Sequence, residues 1–267
     1  MKYLKLVVIA GLIFVNTAAK ASIWSDLWWN PNESGWGVNI SQQANILFMT
    51  FFVYGSDNKA KWYVGSSVAA TSQINSTGYP VYSGDLYETT GPWLGTATFN
   101  PSSVTVRKVG TVTFSPLNTV AGQVTYSVDG TTATKSIERQ LWNHIPIGYR
   151  YQGAMVVRSI TNCPGTTIAV GQSENILLAL ALNLANSSIT VGIYENGNTS
   201  PTCTLAGTYV QKGSVYTLQT SPVSGCTGGT FSFTDLVADD DGITGNLALR
   251  IGSCIGSFAY SAVRLPQ

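Results

Sequence analysis

Charged side chains are scarce in this chain of 267 residues, since Asp, Glu, Lys and Arg together make up 10% of it. Residues 1–21 hold three lysines and no acid, which leaves 11 basic against 13 acidic residues in the remainder. No run of Lys or Arg is longer than two residues. Nucleic-acid binders gather basic residues into a patch or stripe. We therefore expect no nucleic-acid partner.

Histidine is almost absent. The one histidine, His144, stands beside Pro146 and Gly148, in a stretch that has the composition of a linker. Ser-His-Asp and Cys-His mechanisms need a histidine that reaches the nucleophile from a structured position. We interpret His144 as a linker residue and predict no catalytic residue of this kind.

Acidic residues offer two further chemistries. Asp26 with Glu33, or Asp85 with Glu88, could form the carboxylate pair of a glycosidase, although nothing in the sequence sets their separation. The stretch "ADDDGITG" at 238–245 has three consecutive carboxylates, whereas a calcium loop places its ligands at alternate positions. We predict a solvated hairpin loop there, with no metal, no cofactor and no enzyme activity.

Long apolar runs are also missing after the first residues, since none approaches the roughly 18 residues of a membrane-spanning helix. The beginning itself combines Lys2 and Lys5, an apolar run at 6–15, and small residues at Ala19 and Ala21. This pattern is typical of a secretory signal peptide. We predict a signal peptide at 1–21, cleaved near Ala21, and a secreted or periplasmic mature chain without a transmembrane segment.

Cysteine is absent before residue 163, and tryptophan is absent after residue 142. This segregation indicates two domains that are stabilised in different ways. The stretch "WNHIPIGYR" at 142–150 separates them with Pro and Gly, and about 120 residues on either side is an ordinary domain size. We predict a Trp-rich domain at 22–145 and a disulfide-containing domain at 149–267.

The four cysteines of an exported chain predict two disulfides, and because none has CxxC spacing we expect no zinc site. In an antiparallel meander, loops of one parity share one end. All four cysteines stand at such loops, so they should cluster at one end of the second domain. We favour the pairs Cys203–Cys226 and Cys163–Cys254.

Both halves have the patterns of short strands with turn residues between them. Val124, Tyr126 and Val128 alternate with polar residues, and even "NILLALALNLANS" at 175–187 alternates Leu with Ala or Asn, which favours a strand over a helix. Seven or eight short strands in about 120 residues can bury one face economically in a closed barrel. We predict an all-β chain of two small antiparallel up-and-down barrels in tandem, with a β-sandwich as the alternative.

An internal repeat supports this division. Four pairs of segments correspond in order between the halves, and the last strand of each half has an arginine, Arg139 and Arg264. The pairs are "YSGDLY" (82–87) with "LAGTYV" (205–210), "VGTVTF" (109–114) with "GGTFSF" (228–233), "GQVTYSV" with "GNLALRI", and "KSIERQL" with "SAVRLP". A duplicated meander is expected to conserve strands and vary loops.

The string "WWNPNESGWG" at 28–37, followed by Gln42 and Gln43, "FFVYG" and "KWYV", resembles a recurrent β-rich module of exported bacterial proteins without an assigned activity. The resemblance covers residues 24–65. In size and strand order each half is also similar to calycin barrels, the lipocalin and avidin class, which begin on a Gly-x-Trp-like strand and end on a strand with an Arg. No ligand residue can be transferred from either resemblance.

Tryptophan is the most informative residue type of the first half. Trp28, Trp29 and Trp93 lie near prolines in loop-like stretches, so we predict that they form an exposed binding surface for a glycan or an envelope partner. Trp36 and Trp62 lie in strand patterns and are assigned to the core.

A structural role is predicted for Trp36 with Arg139. Closing a barrel brings its first and last strands together, so the guanidinium of Arg139 should stack on the indole of Trp36 at one end. Arg264 should take the same structural position in the second half.

These observations favour an exported, non-catalytic protein that binds a partner or a glycan, or serves structurally, at the bacterial envelope. A lipocalin-like carrier of a small molecule is the alternative, and an interior lined by small residues such as Ala179 and Ala181 would favour it. An envelope hydrolase is the third hypothesis.

Overall fold

The computed structural model describes residues 24–95, 98–165, 167–195, 198–226 and 228–266. The predicted signal peptide at 1–21 lies outside these residues. In the described part the chain forms sixteen β-strands and one short 3-10 helix, Pro101–Ser103. None of the described residues form a helix long and apolar enough to span a membrane.

Eight antiparallel strands form the first barrel. Each strand pairs with the next along the chain, and β8 pairs with β1, which closes the sheet. The strands are β1 Asp26–Trp29, β2 Gly37–Gln43, β3 Ile46–Tyr54, β4 Ala60–Ile74, β5 Pro80–Thr90, β6 Thr105–Pro116, β7 Ala121–Val128 and β8 Thr131–Arg139.

The second barrel repeats this topology, with β16 closing on β9. Its strands are β9 Arg150–Thr161, β10 Ser173–Asn183, β11 Ser188–Tyr194, β12 Cys203–Lys212, β13 Val215–Ser224, β14 Thr230–Ala238, β15 Gly242–Ile251 and β16 Cys254–Arg264. The predicted fold of two tandem up-and-down barrels is confirmed, and closure of both sheets shows that the β-sandwich alternative is wrong.

The internal repeat follows this topology with one exception. The last three pairs of segments lie on the sixth, seventh and eighth strands of both barrels. The first pair does not correspond, because "YSGDLY" lies on the fifth strand of its barrel and "LAGTYV" on the fourth. Short segments that alternate apolar and small residues look alike on any strand with one buried face.

Aromatic rings fill the interior of the first barrel. Trp24 and Trp28 are 2% and 0% exposed, and the ring of Phe114 lies edge-on to both, with centroids 5.7 and 5.5 Å away. The indole of Trp24 donates a hydrogen bond to the Tyr82 hydroxyl at 3.1 Å. Such rings bury large apolar areas and satisfy their polar atoms locally.

The interior of the second barrel is filled by aliphatic and aromatic side chains. The stretch at 175–187 forms most of β10, which confirms the strand prediction, and its Ile176, Leu178 and Leu180 are buried. Ala179 and Ala181 fall between these buried positions, Ala181 is exposed, and successive side chains of a strand point to opposite faces. The larger side chains therefore take the inward positions, and the lining by small alanines that would have favoured a carrier is not observed on β10.

Two disulfides close one end of the second barrel. Cys163 after β9 bonds to Cys254 at the start of β16, and Cys203 at the start of β12 bonds to Cys226 after β13. The Cα atoms are 4.3 and 5.1 Å apart. Both predicted pairs and their common end are confirmed.

The opposite end of the second barrel packs against the first barrel. The turn between β12 and β13 reaches the end at which β1 begins, where the backbone N–H and the hydroxyl of Ser214 donate to Asp26 Oδ2 at 2.9 and 3.0 Å. Lys212 forms an ion pair with Glu138 at 2.7 Å. We call the end of the first barrel at which β1 begins its inner end, and the opposite end its outer end.

Candidate functional site

A buried arginine closes the inner end of the first barrel. Arg139 on β8 lies opposite Trp28 on β1, and its guanidinium carbon is 4.9 Å from the centroid of the indole. It donates to the Thr119 carbonyl at 2.6 Å and to Asp26 Oδ2 at 2.8 Å. Burial lowers the pKa of Arg139, and the hydrogen bond to Asp26 opposes that shift. This cluster is structural, since the side chains of the ion pair are 1% and 3% exposed.

The predicted stack of an arginine on a tryptophan exists, but the prediction that Trp36 is the tryptophan is wrong. Trp36 lies before β2, half-buried, and its indole donates to Glu33 Oε2 at 3.1 Å. The first strand is formed earlier, by residues that include Trp28. In the second barrel Arg264 stacks on the ring of Tyr149 at 4.6 Å, as its predicted structural role requires.

The three tryptophans predicted to bind lie in different environments. Trp28 is fully buried, so the expectation that it is exposed is wrong. Trp29 follows it on β1, is half-buried and faces the other side of the sheet. Trp93 is 77% exposed in the loop between β5 and β6. The structure therefore brings no binding surface together from these three residues.

The prediction that Trp62 belongs to the core is wrong. Its side chain is 51% exposed, because Tyr63 takes the inward position on β4. Trp62 lies directly opposite Phe52 of β3, which is likewise 51% exposed. Tyr54 continues this outward face towards the outer end, and Phe48 continues it towards the inner end.

We call Phe48, Phe52, Tyr54 and Trp62 the aromatic wall. Each of these side chains is between 46% and 63% exposed on the outside of the barrel. The sequence contained a signal for it, since "FMTFFVY" at 48–54 has aromatic residues at both odd and even positions. Because a strand alternates its faces, such a segment must place some of its rings outside.

Two grooves flank Trp62. The first has a volume of about 340 Å³, and Gly35 of the "SGWG" loop, Phe52, Tyr54 and Lys61 line it together with Trp62. The second has a volume of about 500 Å³. It lies between Trp62 and the loop that follows β5, and its lining includes Thr89, Thr90, Gly91, Phe99 and Val104.

The loop at 30–36 is held by charge. Lys135 of β8 forms an ion pair with Glu33 at 2.8 Å. The hydrogen bond from Lys135 lowers the pKa of Glu33, and the hydrogen bond from the Trp36 indole acts in the same direction. Through Glu33 the loop that contributes Gly35 to the first groove is fixed to the barrel wall.

The candidate acids for glycoside hydrolysis are all paired with cations. Asp85 contacts Lys108 at 2.7 Å, and Glu88 contacts Lys61 at 2.7 Å. Hydrogen bonds from these lysines lower the pKa values of Asp85 and Glu88, and Arg107 adds to the effect on Glu88. A general acid of a glycosidase needs a raised pKa. The lysine contacts of Asp85 and Glu88 act in the opposite direction, because they lower the pKa of each carboxyl group.

The acidic stretch at 238–245 contains the turn between β14 and β15, at residues 239–241. Asp239 Oδ1 accepts hydrogen bonds from the backbone N–H groups of Asp241 and Gly242, at 2.9 and 2.8 Å. The predicted hairpin loop is confirmed. Within the described ranges, no three His, Cys, Asp or Glu side chains come together as metal ligands would.

Comparison with known proteins gives distant likenesses. No family model matches the sequence, and no curated protein matches it either. Transferrin binding protein B from Haemophilus parasuis Hp5, as a double-mutant vaccine antigen, is 9% identical with a TM-score of 0.33 over 87% of this chain. This chain spans 61% of that protein's length.

A protein of unknown function from the DUF3598 family of Nostoc punctiforme PCC 73102 is 10% identical, with a TM-score of 0.28. The match covers 91% of this chain and 95% of that one. At these TM-scores neither likeness assigns a function to this chain.

Proposed function

We propose that the protein is an exported, non-catalytic binding protein of the bacterial envelope, which holds a partner or a glycan at Trp62. One observation carries this proposal: a tryptophan stands half-exposed on the barrel wall with a groove on each side. Contiguous exposed apolar surface rimmed by polar residues is typical of interaction sites. The neighbouring rings of Phe52, Tyr54 and Phe99 extend that surface.

Export is supported by two features. The pattern of residues 1–21 is that of a secretory signal peptide. The second barrel has two disulfides, and such bonds persist in oxidising compartments outside the cytoplasm.

A binding role is favoured over the two other hypotheses by specific contacts. Asp85 and Glu88, one of the two carboxylate pairs that a hydrolase could use, form ion pairs with lysines whose hydrogen bonds lower the pKa values of both acids. A lipocalin-like carrier needs room inside a barrel. The interior positions of the first barrel are instead occupied by Trp24, Trp28 and Phe114 in mutual ring contact.

Binding to isolated cell envelopes tests this proposal. We expect the purified mature protein to sediment with envelopes of its host, and Trp62→Ala to weaken that binding at least tenfold. Trp142→Ala is the matched control, because Trp142 is 67% exposed and lines neither groove. Neither change should move the thermal midpoint by more than about 2 °C, since both side chains are exposed. If Trp62→Ala and Trp142→Ala bind the envelopes equally well, Trp62 is not part of the binding site.

A further inference from the structure

We propose that the ligand of the two grooves is an uncharged glycan, which crosses Trp62 with one sugar unit in each groove. This inference rests on the proposed binding function and names its ligand class. The grooves share Trp62 as their common wall, and their volumes of about 340 and 500 Å³ lie in the range of small-ligand sites. A chain that filled both would contact the indole from two sides.

The lining matches the two kinds of surface on a sugar ring. A pyranose presents an apolar face of C–H groups, which packs on an aromatic ring, and a rim of hydroxyls, which needs hydrogen-bond partners. The first groove has the rings of Phe52 and Tyr54. The second has Phe99 and, from the end of β5, Thr89 and Thr90. One of these two hydroxyls can face the groove, because successive side chains of a strand point to opposite sides.

Charge on the lining selects against anionic ligands. Among the side chains that line the two grooves, Lys61 is the charged one, and it already forms an ion pair with Glu88 at 2.7 Å. Recognition of phosphate, sulfate or carboxylate groups usually relies on arginines or lysines that can face the ligand. An acidic polysaccharide or an anionic lipid surface therefore finds no free counter-charge among the described residues of these grooves.

The exposed rings form a compact apolar platform beside the grooves. The rings of Phe52, Tyr54, Trp62 and Phe99 are 47% to 63% exposed. At about 200 Å² for a whole aromatic side chain they offer about 400 Å² together. An oligosaccharide that lies in a groove and buries most of its own surface fits an apolar area of this size.

Glycines at the groove walls allow a ring to approach the backbone. Gly35 adopts φ +115, a conformation that other residues rarely take, and it lies beside the ring of Tyr54. Gly91 contributes to the wall of the second groove without a side chain. A Cβ at Gly35 would touch the Tyr54 ring at 3.8 Å, and one at Gly91 would approach Val104 at 3.2 Å.

Affinity electrophoresis tests this inference. Native gels would contain a soluble α-glucan, a soluble β-glucan, a mannan or the neutral glycans released from the host envelope, with polygalacturonate as the anionic comparison. We expect at least one neutral glycan to retard the mature protein. Trp62→Ala and Phe99→Ala should each raise the apparent Kd at least tenfold, whereas Trp142→Ala should leave it unchanged. Sedimentation with phosphatidylglycerol vesicles tests binding to an anionic lipid surface.

The outcomes separate the ligand class from the binding function. Binding to host envelopes that depends on Trp62, without retardation by any neutral glycan, overturns the glycan inference and leaves the binding function standing. Retention by polygalacturonate or by the vesicles, lost in Trp62→Ala, also overturns it. Envelope binding that does not depend on Trp62 overturns both proposals.

Discussion

Replacement of Asp26 by alanine should destabilise the protein strongly. The change removes the carboxylate that forms an ion pair with the guanidinium of Arg139, whose side chain is 1% exposed. It also removes the acceptor of both hydrogen bonds from Ser214, which join the two barrels. Breaking a buried ion pair by removing one partner costs about 3–5 kcal/mol. For a unit of 150–250 residues, the size of the two packed barrels together, each kcal/mol lowers Tm by about 2–4 °C, so we expect a fall of about 10 °C.

The matched control for this change is Glu138→Ala. Glu138 stands next to Arg139 and forms an ion pair across the same junction, but its side chain and that of Lys212 are 29% and 40% exposed. Exposed pairs contribute about 0–1 kcal/mol. Urea unfolding, followed by circular dichroism, measures both free energies. A loss for Asp26→Ala no larger than that for Glu138→Ala would refute the structural role of the buried pair.

Three further changes test the packing. Trp28→Ala should cost about 3–5 kcal/mol in urea unfolding, against about 0.5 kcal/mol or less for the exposed Trp93→Ala; similar costs would place Trp28 outside the core. Replacing Cys163 and Cys254 by alanine should lower the free energy of unfolding by about 1 kcal/mol more than replacing Cys203 and Cys226. The first disulfide closes a loop of 91 residues and the second one of 23, and a longer loop restricts the unfolded chain more. The reverse order would contradict this reason. Tyr260→Phe should be neutral or stabilise by up to about 1 kcal/mol, because in the described structure this buried hydroxyl has no hydrogen-bond partner. A clear loss of unfolding free energy would show that the hydroxyl is bonded.

Sequence patterns sufficed for the architecture because the barrels depend on alternation and closure. Val124 is buried in β7 and Leu178 in β10, as the period of two requires. Closure of an up-and-down sheet also brings the last strand to the first. That is why an arginine on β8 could be expected to meet a tryptophan near the beginning of the barrel.

The sequence could not show which tryptophan faces the barrel interior and meets Arg139. Trp28 and Trp29 are neighbours, so one of them must face inwards and the other outwards, and nothing local decides which. The same holds for Trp62 and Tyr63, where the tyrosine is 8% exposed and the larger tryptophan is outside. Register against the neighbouring strands sets both outcomes.

The grooves could not be predicted either, because they combine segments that are distant along the chain. Gly35 comes from the loop before β2, Trp62 from β4 and Phe99 from the loop before β6. Their meeting depends on strand lengths and on the path of a long connection. The alternation of residues along a strand predicts neither the strand lengths nor the path of that connection.

Nuclear magnetic resonance of the tryptophan indole N–H groups tests most directly whether Trp62 contacts the ligand. The chain has seven tryptophans, and single substitutions assign their signals. In a titration with the neutral glycan that retards the protein most strongly, we predict a saturable shift of the Trp62 signal. The signals of buried Trp28 and of Trp142 should stay in place. Saturable binding that shifts Trp142 and leaves Trp62 unmoved would contradict the assignment of the site.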